Sequence, residues 1–262
     1  MAFLMQWMMG GLAIWCAMTL LWIISLLIRD SSIVDIFWGS GYVVVTVVWF
    51  MTTISNPIPL SQWLILALVS IWGLRLTIYL FWRNVGKGED FRYQKWRSEH
   101  GKRWWWWSYI QVFLFQGAVM WFVAMPLLGA QFEATAGLNL VHYIGIFVWS
   151  VGLFFETVGD WQLAQFKANP DNEGKVLDTG LWKYTRHPNY FGDAVVWWGF
   201  YLLAVANGAW WTIFSPIVMT YLLMRISGVP MLERNMRKRK PDYADYVERT
   251  SAFLPMPPKK SA

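Results

Sequence analysis

Cysteine is almost absent. Cys16 is the single one in 262 residues, so no disulfide and no cysteine-built metal centre can form within the chain. Histidine is scarce too: His100, His142 and His187 stand far apart, and no H-E-x-x-H occurs. No metal site is expected. Neither a Walker loop nor a G-x-G-x-x-G is present, which excludes the common soluble nucleotide folds. Charge is low as well. Charged residues make up 15%, against roughly 25% in soluble domains. No Lys or Arg precedes the first apolar run, and no small-residue cleavage site interrupts it. The run is therefore read as a retained membrane helix, not a signal peptide.

What fills the chain is apolar: 56% of the residues are hydrophobic, and 21 are Trp. Seven candidate spans approach or exceed the ~20 residues needed to cross a bilayer: 3–28, 33–51, 63–82, 108–128, 141–160, 190–206 and 210–226. The loops 52–62, 129–140 and 207–209 hold no Lys or Arg, whereas the basic residues outside the spans fall in the alternate loops, from Arg29 alone after the first span to seven between Arg83 and Arg103 after the third. Basic residues favour the cytoplasmic side. The expected fold is thus an all-α integral membrane protein with seven transmembrane helices, N-terminus out and C-terminus cytoplasmic. A bacterial inner membrane, with the polar site facing the cytoplasm, is the expected location. The net charge of +6 follows this topology and points to membrane lipid, not to nucleic acid. No domain boundary is visible, so 1–262 is read as a single membrane domain.

Six ionisable residues lie inside the spans: Asp35, Arg75, Glu156, Asp160, Asp193 and Arg225. Such groups are costly in hydrocarbon and mark functional sites or ion pairs. On the expected topology all six lie in the cytoplasmic half. Glu156 and Asp160, four apart, share a helix face. Asp35, in "SSIVDIFWGSGYV", has no adjacent cation. A carboxyl kept neutral there could donate a hydrogen bond or a proton; a helix-start role is the alternative, although Ser31 and Ser32 are better caps.

The stretch "GLWKYTRHPNYFGD", 180–193, crowds hydrogen-bonding groups just before an apolar run. Pro188 suits a helix start. A nucleotide bound there would need cations for phosphate, polar groups for ribose and amide, and aromatics for stacking. Lys167, Lys175, Arg186 and Arg225 supply the first. Asp160, Asn189 and Asp193 supply the second, and Trp182, Tyr184 and Tyr190 the third.

This stretch, continued as "AVVWWGFYL", resembles the C-terminal domain of the steroid 5α-reductase family, in particular its bacterial membrane branch. So do "FETVGDWQLAQFK", "LLMRISGVPMLE" and "PDYADYVERTSAFLP". The likeness runs from about Arg75 to Pro255. It implies a seven-helix reductase of a lipophilic enone, most simply a 3-oxo-4-ene steroid entering from the bilayer. NADPH would touch Asp160, Lys167, Lys175, Tyr184, Arg186, His187, Asn189 and Asp193, with Arg75, Arg225, Glu89, Asp90, Arg92 and Tyr93 contributing. Residues 1–82 would form the substrate side and 83–262 the cofactor side. The family's animal members place a Gln-Glu pair on the second helix and a Tyr on the third. Here the pair is Val34-Asp35, and Trp72 stands at the Tyr position. Tyr42 and Tyr79 are the alternatives for the acid partner.

Two other readings compete. A similar R-H-P-N-Y core serves S-adenosylmethionine in membrane methyltransferases, although the basic residues suit a phosphate-bearing cofactor better. The other is a non-catalytic transporter or scaffold; transporters often show broken helices or repeat symmetry, and neither is apparent.

Overall fold

The computed structural model describes residues 1–53, 56–226, 233 and 242–259. Among these residues the regular structure is all helical. The basic run 234–240, expected on the cytoplasmic side, lies outside the described residues, as does part of "LLMRISGVPMLE".

Helices α1 (Ala2–Ile28), α2 (Ile33–Thr52) and α3 (Leu60–Asn84) are followed by a long helical run, α4 (Phe91–Phe132). Then come α5 (Leu140–Ala168), α6 (Pro188–Ala206), α7 (Trp210–Ile226) and the short α8 (Tyr243–Arg249). Five of these, α1 to α5, are long and apolar enough to cross a membrane. The protein is a helical membrane protein. The apolar α7 is shorter than that measure.

Helix α4 extends well beyond the expected span. Its first section, Phe91–His100, is polar and carries Arg92, Lys95, Arg97 and Glu99. A π-helical segment, Tyr109–Leu114, interrupts it; such segments are frequent at functional sites. Pro126 lies at the start of its last section, Met125–Phe132.

The chain forms two compact units, residues 1–139 with 204–212, and residues 140–203 with 213–262. In the first unit, α2 and α3 touch backbone to backbone. A methyl group on Gly39 would collide with the Gly73 carbonyl oxygen, and one on Gly73 with that of Gly39. Small residues at such crossings let membrane helices approach closely. Helix α1 is tied on by Trp49, whose indole donates to the Gln6 carbonyl at 2.7 Å. Trp121 donates likewise to the Trp7 carbonyl at 2.8 Å, and those two rings stack at 4.1 Å. Leu4, Leu12 and Leu20 on α1 are exposed, as befits a helix solvated by lipid.

The second unit is organised by a glycine seam. Gly145, Gly152 and Gly159 recur every seven residues on α5, so they share one helix face. Each meets α6. A Cβ on Gly145 would meet Leu203, one on Gly152 the Val196 backbone nitrogen at 2.5 Å, and one on Gly159 the Asn189 nitrogen at 3.1 Å. The contacts run in opposite directions along the two helices, which are therefore antiparallel.

Candidate functional site

Three local devices place Asp35 in the first unit. Neither Ser31 nor Ser32 caps α2 with its side chain, contrary to expectation. Asp30 Oδ1 instead accepts from the Ser32 N–H at 2.8 Å, and Glu89 Oε1 accepts from the Ser31 N–H at 2.8 Å. Negative charge beside a helix N-terminus is favoured by the helix dipole. Arg97 then holds Glu89 through Nε at 2.9 Å and Nη2 at 2.8 Å, and its guanidinium lies 5.7 Å from the Trp104 ring centroid. Burial alone would raise the pKa of Glu89. The hydrogen bonds from Arg97 and the Ser31 N–H, with the Arg97 charge, outweigh burial and hold it below the ordinary carboxylate range. The start of α4 is thereby fastened to the start of α2.

That fastening brings Arg92 and Tyr93 to Asp35. Arg92 Nη2 donates to Asp35 Oδ2 at 2.6 Å, and the Tyr93 phenol donates to Oδ1 at 2.7 Å. Asp90 Oδ1 accepts from Arg92 Nε at 2.8 Å and from its backbone N–H at 3.0 Å. The Tyr93 oxygen in turn accepts from Gln116 Nε2 at 3.2 Å, and Gln116 Oε1 accepts from the Trp38 indole at 2.7 Å. The direction of this chain is set by its ends. An indole can only donate, so the Gln116 amide must turn its N–H₂ to the phenol. Both Asp35 oxygens then accept, and the proton-bearing atom is Tyr93 Oη. Tyr93 is buried, at 2% exposure.

Tyr93 and Arg92 were expected with a cofactor, and Tyr42 or Tyr79 beside Asp35. The hydrogen bonds of Asp35 among the described residues go to Arg92 and Tyr93. Tyr42 is fully buried, with its ring 5.8 Å from that of Trp72. Tyr79 packs against Trp82 and lies 5.6 Å from the Arg83 guanidinium. Arg75 is half-buried on α3. Gln116 and Trp38 were missed, although Gln116 is one of few polar residues in the apolar part of α4.

In the second unit, the seam carries Asp160, next to Gly159, up to the first turn of α6. Asn189 Nδ2 donates to Asp160 Oδ1 at 3.1 Å. Glu156 and Asp160 are both buried. His187 stacks on Tyr190, with centroids 5.6 Å apart. Asp193 is half-buried on α6. Trp182 is buried as a tie: its indole donates to the Gly159 carbonyl at 3.1 Å, and its own carbonyl accepts from Tyr246 Oη at 2.5 Å.

Arg186 is 9% exposed. Its Nε donates to Glu233 Oε1 at 2.8 Å, and Nη1 donates to the carbonyls of Val247 at 3.0 Å and Thr250 at 2.5 Å. His187 Nε2 lies 3.3 Å from the same Glu233 oxygen. Burial would raise the pKa of Glu233, but the hydrogen bonds of His187 and Arg186 and the Arg186 charge bring it down to about 2. Nothing in the sequence singled out Glu233. Lys167, Lys175 and Tyr184 are exposed. Arg225, also exposed, borders an apolar groove of about 270 Å³ with Trp198 and Met224.

Residues 21–250 match the family model described as a protein of unknown function, DUF1295. The chain belongs to that family. An uncharacterized protein of Schizosaccharomyces pombe is 24% identical over 90% of this chain and 75% of its own length. A probable O-methyltransferase, ustE, of Ustilaginoidea virens is 33% identical over 97 residues, which are 36% of this chain and 32% of that protein. No solved structure matches the chain.

Proposed function

We propose that this protein reduces a carbon–carbon double bond conjugated to a carbonyl in a lipophilic molecule, using NADPH. The observation that supports this most directly is the Asp35–Tyr93 pair at 2.7 Å, an acid assembly at the end of an apolar helix. Enone reduction needs a donor at the carbonyl oxygen, where negative charge builds up. Tyr93 Oη carries that proton: on substrate binding its single O–H turns from Asp35 Oδ1 to the carbonyl oxygen. Arg92 keeps the Asp35 carboxylate paired, and Gln116 Nε2 donates to the phenol oxygen that becomes electron-rich as its proton shifts. An apolar substrate such as a 3-oxo-4-ene steroid suits a site reached from lipid.

The residues of the second unit fit a phosphate-bearing nucleotide in kind. Arg186 Nε and His187 Nε2 converge on one carboxylate oxygen of Glu233, an arrangement that can hold an anion. Asp160 and Asn189 offer an acceptor and a donor for ribose or amide groups, and Lys167 and Lys175 offer exposed charge. NADPH, when bound, supplies the hydride. The same reading has seven spans with the C-terminus in the cytoplasm; a reporter fused after Ala262 that reads as external would exclude that topology.

A second reading is favoured by one observation, the 97-residue likeness to a probable O-methyltransferase: methyl transfer from S-adenosylmethionine. One experiment separates the two. Purified protein is titrated with NADPH, NADH and S-adenosylmethionine, and then assayed on a 4-ene-3-one steroid. NADPH binding with loss of nicotinamide absorbance supports reduction. Binding of S-adenosylmethionine alone rejects it.

A further inference from the structure

A cleft of about 450 Å³ opens in the second unit, between residues 178–183 and 249–258. Neither the acid assembly nor the expected nucleotide residues account for it. Asp178, Thr179, Lys183, Arg249, Thr250 and Pro258 line it. It therefore holds two cations, one carboxylate and two hydroxyls. Arg249 and Asp178 approach to 3.5 Å, with side chains 37% and 44% exposed. An exposed pair of that length contributes little, and it leaves the guanidinium available to a better anion. Lys183 has no ion pair among the described residues. The cleft carries a net charge of +1 and calls for a ligand of one negative charge with oxygens for the hydroxyls. Its volume far exceeds the ~30 Å³ share of a water molecule, so it has room for a polyatomic group.

The depth of the cleft indicates where that group comes from. Residues 178–183 belong to the connection between α5 and α6. Leu181 N–H donates to Gln162 Oε1 at 3.0 Å, which sets the cleft level with the last turns of α5. The segments that supply the lining residues also carry exposed apolar and aromatic side chains: Leu254 and Met256 are 54% and 51% exposed, and Tyr184 is 43% exposed. The Met256 N–H donates to the Tyr184 carbonyl at 2.9 Å, so these side chains stand on one pinned edge. Exposed apolar and tyrosine side chains at the end of membrane helices mark the headgroup level.

We infer that this cleft binds a phosphate ester through Lys183 and Arg249, and that its source is the headgroup of an anionic phospholipid. The chemistry of a soluble phosphate ester is the same, so the test must separate them. The full chain in detergent is examined by native mass spectrometry and thermal melting, with phosphatidylglycerol, diacylglycerol or the soluble diester glycerophosphoglycerol added. Phosphatidylglycerol is expected to bind and raise the melting temperature, and diacylglycerol is not. The double variant Lys183→Gln/Arg249→Gln is expected to lose roughly thirtyfold in affinity for phosphatidylglycerol, at about one kcal/mol per cation. Equal effects of phosphatidylglycerol and glycerophosphoglycerol, both lost in the double variant, would assign the site to a soluble ester. Equal effects of phosphatidylglycerol and diacylglycerol, or unchanged binding in the double variant, would overturn the site. If the double variant does not fold, Asp178→Asn decides. Removing the competing carboxylate is expected to tighten phosphatidylglycerol binding, and unchanged or weaker binding would overturn the inference.

Discussion

The Tyr93 phenol donates to Asp35 Oδ1 at 2.7 Å across 58 residues of sequence. Neither residue is held by its neighbours in the chain alone. Asp35 stands in the first turn of α2, and Tyr93 stands at the start of α4. Glu89 joins the two by accepting from the Ser31 N–H, just before α2, and from Arg97.

If Tyr93 is the proton donor, Tyr93→Phe keeps the ring and removes the acid. General acid catalysis contributes roughly two to four orders of magnitude, so turnover on a 4-ene-3-one steroid is expected to fall at least about a hundredfold. NADPH affinity is expected to stay near that of the unmodified protein. Asp35→Asn retains a polar group but loses the charge that pairs with Arg92, and a comparable loss is expected. Near-normal turnover in Tyr93→Phe would exclude Tyr93 as the donor and return attention to Tyr42 and Tyr79.

Arg186 and Asn189 are expected to separate in their effects. Arg186 joins Glu233 and two carbonyls near the end of α8, so Arg186→Ala leaves the half-buried Glu233 carboxylate with His187 and the two carbonyls without this donor. Breaking a fully buried pair costs roughly 3–5 kcal/mol; His187 offsets part of that, and a drop in thermal stability is expected. Asn189 makes its described bond to Asp160 at the mouth of α6. Asn189→Ala is expected to melt close to the unmodified protein and to lose NADPH affinity. A stable Arg186→Ala variant would show that the tail is held by other contacts.

The pH dependence of stability follows from Glu233. Its pKa is about 2 in the folded chain, against an ordinary 4.5. The unfolded chain therefore takes up this proton more readily than the folded one. The stabilisation is complete above about pH 4.5 and is lost as the pH falls toward 2. Melting curves of the unmodified protein and Glu233→Gln are expected to converge across that window as the pH drops. Parallel curves would mean that Glu233 has no depressed pKa.

The helices were legible because apolar runs of sufficient length have few other uses. Their ends were less so. Phe91–His100 is charged and carries no apolar run; ion pairs and the Asp90 cap hold it, and these depend on partners distant in sequence. Helix α5 runs to Ala168, past the expected end at Asp160, because its last turns are polar yet still helical. Asp35 stood out as an acid inside an apolar span. Its partner did not, because position on the third helix favoured Tyr79 and helix spacing favoured Tyr42, while the actual contact is long-range. Arg186 and His187 were legible as unusual polar residues. Their engagement with Glu233 was not, since a single Glu in a polar tail carries no periodic signal. The seven-residue glycine spacing on α5 was present in the sequence and was the available sign of the α5–α6 contact.

That spacing gives the last prediction. At Gly152 a Cβ would lie 2.5 Å from the Val196 backbone nitrogen, which cannot rotate away as a side chain can. Gly152→Ala must therefore force α5 and α6 apart. Overpacking of this kind costs roughly 1–3 kcal/mol or more. The displacement also acts on Asp160 and Asn189, whose 3.1 Å bond spans the same two helices. Gly152→Ala is expected both to lower the melting temperature and to weaken NADPH binding, although Gly152 itself carries no polar side chain. Gly137→Ala is the control, because no neighbouring atom lies within 4 Å of its Cβ position; little change is expected there. If Gly152→Ala melts and binds cofactor as the unmodified protein does, the seam is not close-packed, and Asp160 and Asn189 are placed by something else.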